Sequence, residues 1–112
     1  MASSKEYLQF ILEQLSGLEE INYRAMMREY ILYYRGRIVG GIYDDRLLVK
    51  PTKSAVSYMT TATYELPYEG AKEMLLVENV DSKEYLAGLF NAMYDELPVH
   101  KSNNKKKSMD TL

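Results

Sequence analysis

Apolar residues at Leu8, Ile11, Leu12, Leu15 and Leu18 recur at the spacing of one helical face, which predicts an amphipathic helix over about residues 4–16. Ser3 with Glu6 has capping-box spacing, Ser4 is a competing cap, and Gly17 is placed to end the helix. From Asn22 to Lys50 the pattern turns to short β-branched, aromatic and apolar runs. Tyr30–Tyr34 reads as a strand, Arg35-Gly36 as a two-residue turn, and Arg37–Tyr43 as the return strand. Asp44-Asp45 is a second turn and Arg46–Lys50 the next strand, while an earlier strand near Tyr23–Met27 completes an antiparallel meander.

Pro51 closes that region because it cannot donate to a ladder. Thr52 then caps a short helix over Lys53–Met59. Residues 60–71 read as a loop, with Tyr64, Leu66 and Tyr68 alternating as in a short extended stretch, and the run Met74–Val77 suits a buried strand. Asp81 with Glu84 is a second cap signal. Behind it Tyr85, Leu86, Leu89, Phe90, Met93 and Leu97 line one face of a helix that Pro98 ends. The order of elements predicts an α+β fold of two layers, an antiparallel sheet with N-terminal and C-terminal helices packed on it.

The strands carry an anomaly. Ile31 and Tyr33 face one way and Tyr30, Leu32 and Tyr34 the other, yet neither set is polar, whereas an antiparallel sheet with one wet face should alternate. Either helices cover both faces, or one face is buried by a second chain or a ligand. Three helices of this size would struggle to cover both, which favours the second alternative. Parity places an interface at Tyr30, Leu32, Tyr34 and Tyr43.

Composition narrows the functional classes. A chain of 112 residues makes one domain, expected over residues 1–100. The Lys-rich, polar stretch 101–112 cannot bury apolar surface and is expected to be a disordered basic tail. Residues 1–100 hold ten basic against fifteen acidic side chains, a balance that disfavours direct binding to nucleic acid. No signal sequence or apolar run of spanning length is visible, so the expected compartment is the cytoplasm, with no membrane contact. With no cysteine there is no thiolate ligand or nucleophile, and the one histidine, His100, sits beside the tail. Asp44 and Asp45 are paired carboxylates that could hold a hard cation, but adjacent acids are common at hairpin turns. No catalytic, cofactor or metal site is expected, and the chain reads as a non-enzyme.

The eleven tyrosines stand out. Between Arg24 and Lys50 they accompany Arg24, Arg28, Arg35, Arg37 and Arg46, a local excess of positive charge. Three readings fit: packing within the sheet, a protein interface rich in tyrosine and arginine, or a stacking surface for nucleic acid.

The segment Tyr23-Arg24-Ala25-Met26-Met27, followed by Tyr30–Tyr34 and Arg35-Gly36-Arg37, resembles the signature of N-terminal domains of the TfoX/Sxy family of competence regulators. Gly40–Lys50 looks like that family's following hairpin, and Met74–Asp81 like its late strand. The resemblance covers roughly residues 5–97. Where the family usually has Met-Phe-Gly-Gly at a bend, this chain has Met26-Met27-Arg28-Glu29. The resemblance implies a fold similar to that of the secretion chaperones, frequent pairing as homodimers, and a non-catalytic regulatory or adaptor role. That role acts through a protein partner such as a transcription factor, in transcriptional or competence regulation. The second, C-terminal domain usual in the family is absent from the sequence. The alternative function is a nucleic-acid-binding module using the basic, tyrosine-rich segment 24–50. The interaction surface expected for either comprises Tyr30, Leu32, Tyr34, Tyr43, Arg24, Arg28, Arg35 and Arg37.

Overall fold

A computed structural model describes residues 4–27 and 29–98. Ser3, Arg28, His100 and the predicted tail over 101–112 lie outside the described residues. The elements follow the sequence pattern closely: α1 (Lys5–Gln14), β1 (Ile21–Met26), β2 (Glu29–Tyr34), β3 (Arg37–Ile42), β4 (Leu47–Val49), α2 (Lys53–Tyr58), β5 (Tyr64–Glu65), β6 (Met74–Leu76) and α3 (Lys83–Met93), which tightens into a 3-10 turn over Tyr94–Glu96. The strands form one six-stranded sheet in the order β1-β2-β3-β4-β6-β5, antiparallel throughout.

Each helix starts on a hydroxyl that accepts an otherwise unpaired amide N–H. Ser4 accepts from the Tyr7 N–H, Thr52 from Ala55 and Ser82 from Tyr85. Thus Ser4 caps α1, and α3 begins one residue later than the Asp81 signal predicts. The two hairpin turns are built as expected. Arg35 and Gly36 both take positive φ (51° and 84°), as do Asp44 and Asp45 (both 55°), the geometry of turns that match strand twist. The paired aspartates are therefore turn formers, and Asp45 also accepts the Ser4 N–H at 2.7 Å, tying the start of α1 to the β3–β4 turn.

All three helices lie on one face of the sheet. Leu8, Ile11 and Leu15 of the α1 segment, Ala55 and Met59 from the α2 segment, and Leu86, Leu89, Phe90 and Met93 of α3 share a single core with Leu32, Tyr34, Ile42, Leu47, Val49 and Leu75. Ile42 stands opposite Leu47 and Val49 opposite Leu75, while Leu32 and Val49 both face Gly40, so these side chains point the same way. The other face carries Arg24, Ile31, Gly41, Leu48 and Leu76, matched in register from strand to strand. No helix contributes to it among the described residues.

Candidate functional site

The predicted interaction surface divides between the two faces. Leu32 and Tyr34 are core residues, 0% and 4% exposed, and Tyr30 packs against the same core with its ring edge-on to Tyr23. The expectation that these three form an open surface is corrected: their face is the one the helices cover. The Tyr34 hydroxyl donates to the Asn91 side chain of α3 at 2.5 Å, and its ring packs against Phe90 and Tyr94.

The arginines divide too. Arg37 donates to the Tyr94 and Leu97 carbonyls at 2.9 and 3.3 Å, and both Arg35 and Arg37 lie over the Tyr94 ring, 4.9 and 4.3 Å from its centroid. They clamp the β2–β3 turn to the end of α3. Arg46 donates to Glu65 at 2.6 Å and to the Tyr43 and Pro67 carbonyls. Arg24 alone of the predicted arginines stands exposed on the helix-free face, while Arg28 lies outside the described residues. Arg35, Arg37 and Arg46 are thus committed to holding the fold together, and the segment 24–50 does not present them as one basic stripe.

Tyr43 is the predicted residue that leads to a site. A one-residue bulge at Val39, opposite the Leu32–Tyr33 step, shifts the register of β3. Ile38 therefore pairs with Tyr33 on the helix-free face, whereas Ile42 pairs with Tyr30 on the core face. Tyr43, past the end of β3, lays its ring on Gly41, where a Cβ would come within 2.7 Å of it. The glycine makes that seat possible. From it Tyr43 forms the floor of a cavity of about 650 Å³, walled by Met26, Met27, Glu29 and Tyr68.

Local chemistry fixes each wall. Tyr68 sits in a loop stapled to β4 by Arg46, and its ring lies 6.2 Å from that of Tyr43. Glu29 accepts the Asp44 N–H at 3.2 Å, so the carboxylate is held at the rim. Burial, then the neighbouring Tyr68 and Glu29, push the Tyr43 phenol above its ordinary value, keeping it a neutral hydroxyl. Met26 ends β1, and Met27 occupies the bend beyond it with φ of 59° and 97% exposure. The groove is therefore two thioethers and two aromatic rings beside one carboxylate, open to solvent. It is suited to an apolar side chain with an adjacent positive charge.

Sequence reasoning found Tyr43 but not Met26, Met27, Glu29 or Tyr68. The usable signal was the bend itself, the run Met26-Met27-Arg28-Glu29, which puts two methionines next to a carboxylate. Among the described residues no group of three or more acidic or histidine side chains is placed to hold a metal, and no helix is long and apolar enough to cross a membrane.

No family model matches the chain, and no solved structure matches it. It is similar to the uncharacterized 12.7 kDa protein in the trpE 5' region of Spirochaeta aurantia, with 30% identity over 80 residues covering 71% of this chain and 70% of that protein.

Proposed function

This chain belongs to the family of that Spirochaeta aurantia protein, and on the groove's chemistry we propose that it is a non-catalytic adaptor domain that binds a protein partner in the Met26–Met27–Tyr43–Tyr68 groove. The partner's segment carries an apolar anchor flanked by a basic residue that meets Glu29. A regulatory setting, in transcription or competence, follows from the resemblance to TfoX/Sxy domains.

One observation carries this reading. Met27 is a nearly fully exposed apolar residue in the left-handed region, where a residue with a Cβ costs about 1–2 kcal/mol relative to glycine. It gains almost no burial in return. The positive φ itself belongs to the β1–β2 turn between Met26 and Glu29, as it does at Arg35 in the next turn; what sets Met27 apart is an apolar, nearly fully exposed side chain at the wall of an apolar groove. Flexible, polarizable methionine beside tyrosine is also typical of protein-recognition surfaces.

The test is a trade-off between stability and binding. Met27→Gly should raise folding stability by about 1 kcal/mol by relieving the positive φ. It should also weaken a purified partner, first captured from the native cell, by about tenfold or more, as should Tyr68→Ala. Titration calorimetry reads the binding and urea denaturation the stability. A partner that binds both variants as tightly as the natural chain rules the groove out. Retention of DNA at low salt, lost steeply as salt rises, would instead establish the nucleic-acid reading.

A further inference from the structure

The sheet ends on two unlike edges. At one end β5 is only two residues long; at the other β1 runs for six, Ile21 to Met26, with all but Ile21 exposed. Natural sheets usually guard such an edge with proline, lysine, a bulge or a covering loop. β1 has no proline or lysine, pairs with β2 without a register break, and carries Arg24 as its one charge.

The ladder shows which groups face outward. The Arg35 N–H donates to the Glu20 carbonyl at 2.9 Å, so Glu20 and Arg35 form a hydrogen-bonded pair at the start of the β1–β2 register. Antiparallel ladders alternate from there. Asn22, Arg24 and Met26 therefore bond to Tyr33, Ile31 and Glu29, while Ile21, Tyr23 and Ala25 turn their N–H and C=O groups away from the sheet.

Symmetry and charge restrict what can pair with that edge. Two copies of one strand joined antiparallel are related by a twofold axis normal to the sheet, so each face continues as the same face and the axis must pass through a residue position. An axis at Arg24 sets two arginines directly opposite in a closely spaced pair, which like-charge repulsion disfavours. An axis at Tyr23 makes Tyr23 a hydrogen-bonded pair with itself and joins Ile21 to Ala25 on both sides, using all the outward backbone groups. It also sets Asn22 opposite Arg24, where the amide oxygen accepts from the guanidinium. On the core side the two Tyr23 rings extend the Tyr23–Tyr30 contact, already edge-on at 5.9 Å.

We propose that β1 pairs with β1 of a second copy of this chain, antiparallel and centred on Tyr23, joining two six-stranded sheets into one. A pairing this short buries less than a standard interface, so the dimer is weak and concentration-dependent. The paired span, Ile21–Ala25, stops before Met26 and Met27 and leaves both grooves open. The pairing therefore stands or falls separately from partner binding.

Sedimentation equilibrium of the full chain, from about 10 μM to about 1 mM, should show a reversible monomer–dimer equilibrium. Ala25→Pro removes an outward N–H that the β1–β2 ladder does not use, and should shift the chain to monomer with its circular dichroism retained. Asn22→Asp places a carboxylate across from each Arg24 and should tighten the dimer several-fold at low salt, a gain that fades as salt rises. Met27→Gly should leave the equilibrium unchanged. A chain that stays monomeric throughout this range overturns the proposal. So does a dimer that Asn22→Asp fails to tighten, a result that decides the register even if Ala25→Pro does not fold.

Discussion

Gly40→Ala should lower folding stability by about 3 kcal/mol or more and the thermal midpoint by roughly 12 °C or more, on the scale of a domain this size. The reason lies in the backbone of β4. A Cβ at Gly40 would run into the Leu48 carbonyl oxygen and come within 2.7 Å of the Val49 Cα, atoms fixed by the β3–β4 pairing. A crowded side chain could rotate away, but a paired strand cannot retreat without opening the ladder. Since native domains are stable by only about 5–15 kcal/mol, one methyl group here removes a large share of the total. The neighbouring Gly41→Ala tests something else. Its Cβ would meet the Tyr30 carbonyl at 2.6 Å and the Tyr43 ring at 2.7 Å. Part of that crowding can be relieved by the ring leaving its seat. Gly41→Ala should therefore retain more stability than Gly40→Ala while changing the near-UV circular dichroism of the tyrosines and weakening the groove's partner. Urea denaturation of the two variants side by side checks the order.

Sequence pattern was a good guide to the elements and a poor guide to the faces. Caps and turns depend on residues close in the chain, so Thr52, Arg35-Gly36 and Asp44-Asp45 could be assigned from local chemistry alone, while that chemistry leaves Ser3 and Ser4 as alternatives and the structure places Ser4 at the cap. The two faces of β2 are both apolar, and parity cannot say which one receives the helices. Side chains distant in sequence decide that, through contacts such as Tyr34 with Asn91 and Phe90. The bulge at Val39 adds a second difficulty. It reverses the alternation within β3, so Ile38 and Ile42 point to opposite faces although they are four residues apart. Tyr43 thereby falls on the helix-free face, apart from Tyr30, Leu32 and Tyr34. The groove was invisible for a related reason. Met27 and Tyr68 come from a bend and a loop far apart in sequence, brought together by the Arg46 staple and the β1–β2 hairpin. The surplus of apolar residues in the strands fits a sheet one face of which lacks helices among the described residues.

Tyr34→Ala should cost about 3–5 kcal/mol, the scale for truncating a buried aromatic ring. The ring is 4% exposed, lies 6.1 Å from Phe90 and 5.6 Å edge-on from Tyr94, and its hydroxyl reaches Asn91. Removing it leaves a void between β2 and α3 and deprives Tyr94 of one of the groups that seat it. Tyr94 in turn lies under Arg35 and Arg37, so the clamp on the β2–β3 turn should loosen as well. Tyr34→Phe keeps the ring and loses only the hydrogen bond, for which about 1 kcal/mol is expected. The pair of variants separates two roles for a tyrosine in this sheet. A core residue gives the large loss of urea midpoint for alanine and the small one for phenylalanine, with partner affinity unchanged wherever the chain stays folded. An interface residue would give near-normal midpoints for both and a loss of affinity instead. Tyr68, more than half exposed on the groove wall, should behave in that second way, since alanine there removes little buried area but one of the two rings the proposed partner would meet.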